Sequence, residues 1–265
     1  MVQVHVPARV WGFESLLRHH FKFDRFVKAI ISSVMHKRVP ARDVKSRGGI
    51  QNAAIFEGLP PEELNLVVSR ASPQAVPRGV FLFRQGESAS KMFLLESGRV
   101  RLHEITADGR ELLIRFVRPG EVFGDKAAIA GADYGASAAT DTPVRTYAWT
   151  TETLVALLEE VPRLAINLFT ITTRYLHYSR ERYRMLATAP AERRIDWALA
   201  ELARSFGSAQ GNATAITGRA LQQDIADLGI TTIYTVSRVL RGYEQRGVLT
   251  RKRGRIVLFR HSNKS

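Results

Sequence analysis

The sequence predicts an α+β chain in three parts: an antiparallel β-roll of jelly-roll type, a long helix, and a small C-terminal head of paired helices with a β-hairpin. Three observations carry this. Between residues 56 and 150, short apolar runs are cut by turns at Gly79, Gly86, Gly98, Asp108-Gly109, Pro119-Gly120, Gly131 and Gly135, the spacing of a roll or sandwich. After Thr151 the apolar positions take a helical period. Near the C-terminus, Leu221, Ile225 and Leu228 precede a polar turn and Val236, Val239, Leu240 and Tyr243 follow it, so two amphipathic helices share one core.

In chain order, residues 1–52 mix aromatics (Trp11, Phe13, Phe21, Phe23, Phe26) with cations and turn polar and basic from His36 to Gly49. Three readings stay open for this extension: a short helix and linker, a nucleic-acid-binding arm, or a segment ahead of the true start at Met35. The roll is expected over 53–151. Its strand candidates are Phe81–Phe83, Met92–Leu95, Val100–His103 and Leu112–Val117, apolar runs bounded by turn residues. Over 152–189, Leu164, Leu168, Ile171, Tyr175, Tyr178, Arg182 and Met185 fall at alternating steps of four and three. That is a heptad seam with Arg182 as its polar break. A seam of this length on a helix joining two domains predicts a homodimer interface built from Leu164, Leu168, Ile171, Tyr175 and Tyr178. Pro190 ends the helix. Ile195, Trp197, Ala198, Leu199 and Leu202 then open the C-terminal domain, 190–265, in which Gly207–Thr217 reads as a loop.

In that domain Thr232 is placed as the N-cap of the second paired helix. With Val236, Val239 and Leu240 buried, the opposite face carries Ile233, Tyr234, Ser237, Arg238 and Arg241, with Thr235 in the first turn. Gly247 ends the helix. The run from Leu249 to Leu258 then flanks a basic centre, Arg251-Lys252-Arg253-Gly254-Arg255, as a hairpin wing would. The whole reads as a winged helix-turn-helix offering short polar groups and cations to a major groove. The blander reading is two packed structural helices with a solvated basic tail.

Charge agrees with a polyanion partner. Of the net +14, residues 1–52 and 190–265 each carry +7, while residues 53–189 balance 16 cations with 16 acids. Phosphate contacts at such ends make binding strongly salt-dependent through counterion release. The chain has no cysteine, which excludes disulfides, thiolate metal sites and a cysteine-held iron-sulfur cluster. No apolar run approaches the roughly 20 residues of a bilayer span, and no signal-peptide order of charges and apolar core is present. A cytoplasmic location without membrane contact is expected. Nor is an enzyme: His103 stands alone in the roll, no His-x-His pair occurs, and neither a nucleophile elbow nor a Walker-type glycine loop appears.

The order of roll, seam helix and winged helix-turn-helix resembles the CRP/FNR family of bacterial transcription regulators over roughly residues 53–260. Gly86-Glu87 followed by Met92 to Val100 looks like the family's paired roll strands. Val122-Phe123-Gly124-Asp125 looks like the start of its phosphate-binding cassette, and Thr235-Val236-Ser237-Arg238 is close to its recognition-helix core. In cyclic-nucleotide-binding members the cassette's Glu holds the ribose and its Arg the cyclic phosphate. Counted without a gap from Phe123, Asp125 takes the Glu position and Tyr134 the Arg position, with Gly135, Ala136 and Ser137 following. The phosphate's cation is missing, and a buried phosphate without a guanidinium is costly. The resemblance therefore implies a changed ligand pocket at Gly124, Asp125, Tyr134, Gly135, Ala136 and Ser137, with a cyclic nucleotide disfavoured unless Arg145 points inward. Haem stays open through His103 or His177, as does a nitric-oxide or redox signal.

At the DNA, the resemblance implies that only Arg238 survives of the family's base-reading trio, Ile233 and Tyr234 standing at the other two positions. Arg238 is expected on guanine, and Thr232, Ser237, Arg241 and the wing cations Arg251, Lys252, Arg253 and Arg255 on phosphates. Gly229 sits one residue before the family's turn glycine, whose place Ile230 takes. Expected partners are a second copy of the chain, double-stranded DNA with a pseudo-palindromic site, and RNA polymerase. The competing class is a ligand-sensing interaction module without DNA output.

Overall fold

The computed structural model describes residues 50–259, apart from the side chains of residues 126 and 127. Residues 1–49 of the basic extension lie outside the described residues.

After a short 3-10 turn, Ala54–Phe56, the first part runs through helix α1 (Pro61–Ser69) and strands β1 (Ser72–Val76), β2 (Phe81–Phe83), β3 (Lys91–Ser97), β4 (Val100–Ile105), β5 (Glu111–Val117) and β6 (Val122–Phe123). Helix α2 (Asp125–Ala130) and strands β7 (Ser137–Thr140) and β8 (Val144–Thr150) complete it. Two four-stranded antiparallel sheets, β1-β8-β3-β6 and β2-β7-β4-β5, form the roll. Strand β3 explains its layering. Met92, Phe93, Leu94 and Leu95 are all buried, because Phe93 and Leu95 join Phe83, Val117, Phe123 and Tyr134 between the sheets while Met92 and Leu94 face helices outside. A strand covered on both faces reads as a continuous apolar run, not an alternation. Helix α1 was not expected from the sequence. Its Pro61 opens the first turn and Glu62 and Glu63 follow, a favourable helix start.

Helix α3 (Thr151–Glu160) is capped by the Thr150 hydroxyl, which accepts from the Thr153 N–H at 3.2 Å. The chain then breaks at Val161, and Pro162 opens the 27-residue helix α4 (Pro162–Thr188). On α4 the residues expected in the dimer seam all make contacts within the chain. Leu164 and Leu168 are buried in the roll's outer core with Ile171 packed beside them. Tyr175 lies under the Arg115 guanidinium, and Tyr178 meets the Trp197 ring at 6.2 Å. All five therefore face their own chain. A second stripe is the exposed one: Phe169, Leu176 and Tyr183, seven residues apart, are 73%, 68% and 75% exposed.

The C-terminal head contains α5 (Ala191–Phe206), β9 (Ser208–Gln210), β10 (Ala213–Thr217), α6 (Leu221–Leu228), α7 (Ile233–Gln245), β11 (Leu249–Lys252) and β12 (Arg255–Phe259). Residues 207–217, expected as a loop, instead form a hairpin turning at Gly211-Asn212, so the wing belongs to a four-stranded sheet, β11-β12-β10-β9. Ala213, Ala215 and Ile216 are buried there. The head's core joins Ile195, Leu202, Ile225, Leu228, Val236 and Leu240, and it also takes in Leu113 and Phe116 from β5 of the roll.

That joint is polar at its rim. Arg101 of β4, itself mostly buried, reaches the buried carboxylates of Asp224 and Asp227 on α6, the latter at 3.5 Å, and Glu111 of β5 at 3.3 Å. The Leu113 N–H donates to Asp227 at 3.4 Å. Arg99 adds a 3.2 Å hydrogen bond to the Thr217 carbonyl and lies over the Phe206 ring.

The turn between α6 and α7 resolves the glycine register. Ile230 adopts φ 44°, the left-handed conformation, while Gly229 has φ −87°. Gly229 is needed instead for close approach: a Cβ there would lie 3.1 Å from the Ile225 carbonyl and 3.3 Å from that of Arg194. Arg194 also donates to the Ile230 carbonyl at 2.7 Å, which pins the turn onto α5. A β-branched residue held at positive φ costs about 1–2 kcal/mol. Ile230→Gly is therefore expected to stabilise the head by about 0.5–1 kcal/mol, the extra freedom of the unfolded chain offsetting part of the relief. A rise in the urea midpoint at unchanged slope is the check.

Candidate functional site

Helix α7 begins where the Thr232 hydroxyl accepts from the Thr235 N–H at 3.2 Å. This cap satisfies one of the helix's orphan donors and fixes which residues form its first turn. Val236, Leu240 and Tyr243 are buried. Ile233, Tyr234, Arg238 and Arg241 are exposed, and Ser237 and Thr235 are half-buried. Arg238 has no hydrogen-bond or ion-pair partner among the described residues, so its guanidinium is available to a ligand.

The wing cations divide into two kinds. Arg251 donates to Glu244 of α7 at 2.6 Å, and its backbone N–H donates to the same carboxylate at 2.9 Å. These bonds hold the Glu244 carboxyl below its ordinary range and tie the wing to α7. Arg255 is bonded to Gln210. Lys252 and Arg253, at the hairpin tip, are exposed. Between α6, α7 and the wing lies a groove of about 740 Å3 whose walls include Arg219, Gln222, Ser237, Lys252 and Arg253. Arg219 and Gln222 were missed by sequence reasoning. Their only signal is their place at the start of the first paired helix.

A buried pair joins α7 to α5. The Tyr243 hydroxyl donates to Asp196, and both side chains are buried. Burial pushes the Asp196 carboxyl up to about 6, partly opposed by the Tyr243 hydrogen bond. A carboxyl whose folded pKa is raised binds its proton more readily folded than unfolded. Its stabilising contribution is complete below the unfolded value near 4 and is lost as pH rises through about 6. Asp196→Asn removes this dependence, and the stability of the variant relative to the parent is expected to rise by about 2–3 kcal/mol between pH 4 and pH 7. Urea unfolding of both proteins at each pH measures it.

In the roll, the cassette residues come together around an aromatic core. Tyr134 is buried and stacks on Phe83 at 3.8 Å between ring centroids. Its hydroxyl donates to the Lys91 carbonyl at 2.7 Å and accepts from the Lys91 N–H at 3.0 Å. Gly124 lies directly against it, a Cβ there meeting the Tyr134 ring at 3.3 Å and the Lys91 carbonyl at 3.0 Å. Burial pushes the phenol's pKa up, which keeps it neutral. The Ser137 hydroxyl accepts from the Gln85 N–H at 3.0 Å, Asp125 is buried, Gly135 is exposed and Ala136 half-buried. Arg145 points outward, exposed and bonded to Glu96 at 2.7 Å. Neither position offers a guanidinium to the interior of the roll.

Of the two histidines considered as haem ligands, His177 is exposed on α4. His103 is buried, with no hydrogen bond at Nδ1, the Glu111 carboxylate 3.9 Å from it and Phe81 packed edge-on at 5.8 Å. Burial lowers its pKa and keeps the ring neutral. Among the described residues no group of three or more potential metal ligands comes together, and no helix is long and apolar enough to cross a membrane.

Residues 73–161 match the family model of the cyclic nucleotide-binding domain. The chain is 30% identical over 200 residues to the cyclic AMP receptor protein of Thermus thermophilus, covering 76% of this chain and 89% of that one. It is 27% identical over 215 residues, 81% and 96% of the two chains, to the CRP-like cAMP-activated global transcriptional regulator of Mycobacterium tuberculosis. Among solved structures it shares the fold of the c-di-GMP responsive global regulator CLP of Xanthomonas campestris, with a TM-score of 0.65 at 21% identity, over 75% of this chain and 98% of that one.

Proposed function

Because the chain belongs to the CRP/FNR family of transcription regulators, we propose that it acts as a homodimer that reads DNA through α7 and answers a signal received by the roll. The observation that carries this reading is the unpartnered, exposed Arg238 on a capped helix, set beside a wing whose tip offers Lys252 and Arg253. Residues 53–151 serve as the sensor, 152–189 as the dimerising segment, and 190–265 as the reading head. Arg238 makes the bidentate contact to guanine O6 and N7. Lys252, Arg253, Arg219 and Arg241 meet phosphates, and Arg251 and Arg255 shape the wing. Arg238→Ala is expected to cost about 1–3 kcal/mol of discrimination at one position of each half-site. Competition gel shifts with single-base variants measure this. Unchanged discrimination at every position contradicts the assignment.

Dimerisation uses the outer stripe of α4, Phe169, Leu176 and Tyr183, in place of the inner one. The protein works in the cytoplasm, with RNA polymerase as its further partner and no chemistry of its own on a substrate. The roll does not hold a cyclic nucleotide in the manner of the relatives named for cyclic AMP. Tyr134 stands where the phosphate's arginine belongs and is bonded into the roll's own backbone, and Arg145 faces solvent.

A further inference from the structure

The leading edge of the reading head is apolar. Ile230 in the turn is 53% exposed, and Ile233 and Tyr234 in the first turn of α7 are 40% and 84% exposed. Scattered apolar residues on a surface need no explanation. Here three fall within five positions of a head that is otherwise strongly basic. They sit at the helix N-terminus, the part of a reading helix that meets base edges. The α7 core does not require them, since Val236, Leu240 and Tyr243 supply its buried stripe. The surroundings match a polyanion: Arg238 and Arg241 lie on the same exposed face, and Ile233 shares its groove with Arg219, Lys252 and Arg253.

In a major groove the one apolar group that distinguishes a base pair is the thymine C5-methyl. Resting on the DNA-binding reading above, we propose that Ile233 is a specificity-determining residue that reads a thymine methyl in each half-site, with the Tyr234 ring closing over the same methyl edge. Five residues of α7 separate Ile233 from Arg238. That rise of about 7.5 Å places the thymine about two base pairs from the guanine under Arg238. The half-site this chain prefers therefore pairs one guanine contact with a neighbouring thymine whose methyl group, and not its hydrogen-bonding pattern, is what counts.

Uracil in place of thymine removes the methyl and leaves every hydrogen-bonding group intact. The test is a titration of the intact protein against its preferred site, recovered from random DNA, with each thymine replaced by uracil in turn. One position per half-site is expected to lose about fourfold in affinity, the worth of one buried methyl. In Ile233→Ala the thymine and uracil sites should bind equally. Ile233→Val should retain part of the preference, which separates loss of the contact from loss of the fold. If uracil is tolerated at every position, or the penalty persists in Ile233→Ala, the methyl reading is overturned and DNA binding itself stands. A parent protein that binds no DNA overturns both.

Discussion

Leu176→Asp is expected to leave a folded monomer that binds its DNA site at least a hundredfold more weakly. The side chain lies on the outer stripe of α4 between Phe169 and Tyr183, each seven residues away. Asparate here is solvated in the monomer, so the fold of one chain is not threatened. In a two-fold interface the same substitution places two like charges against an apolar seam, where each unpaired charge costs several kcal/mol to desolvate. A monomer engages one half-site only, and the loss of bivalent linkage alone removes a factor of about 10²–10⁴ in affinity. Sedimentation equilibrium and gel shifts on the same preparation check both halves of the expectation. The companion substitution on the inner stripe, Leu168→Asp, behaves differently. It buries a charge in the roll's outer core and should lower expression and thermal stability instead of altering assembly alone.

The second large effect is expected at the joint between roll and head. Arg101→Leu leaves Asp224 and Asp227 buried together without their cation. Burial already pushes the Asp224 carboxyl up despite Arg101. Removing one partner of such a cluster typically costs about 3–5 kcal/mol, because the remaining charges stay desolvated. The chain can avoid that cost by undocking, which returns both carboxylates to water and exposes Leu113 and Phe116. Arg101→Leu should therefore loosen the joint: faster amide exchange over 111–117 and 221–228, with slower change in the roll's β3–β8 ladder. Combining it with Asp224→Asn should recover part of the loss, a coupling that additive effects at unrelated sites do not give. Protection unchanged from the parent contradicts the role of Arg101.

Much of this organisation was legible in the sequence because its signals are local. Glycine turns bounded the strands at Phe81, Met92, Val100 and Leu112, and each apolar run became a strand of the roll. Thr232 announced α7, and the spacing of Val236 and Leu240 fixed which face turned outward. Which stripe of α4 meets a second copy was not legible, for a physical reason. That helix carries two apolar stripes with the same heptad step, and periodicity cannot tell the one that packs on its own roll from the one left exposed. The hairpin at 207–217 escaped because β9 is only Ser-Ala-Gln and β10 is mostly alanine and threonine. What it lacks in apolar bulk is supplied by pairing with β12.

The site was less legible than the fold, because its decisive contacts join distant parts of the chain. Nothing near Arg101 points to Asp224. Nothing near Arg251 marks it as bonded to Glu244. The basic run around the wing therefore looked uniform, whereas the structure commits Arg251 and Arg255 and leaves Lys252 and Arg253 exposed. Tyr134 shows the same limit. Its position in the cassette declared a missing arginine, but only the fold shows its hydroxyl spent on both backbone groups of Lys91.

Two copies of this chain are expected to read one DNA site together, and selection of bound sequences from a random duplex pool measures this. The expected result is enrichment of an inverted repeat whose half-site centres lie about one helical turn, roughly 34 Å, apart, each half holding a guanine with a nearby thymine. Affinity for that site should fall steeply with added salt. A pool that stays random, or a single unrepeated site bound with a shallow salt dependence, would contradict it.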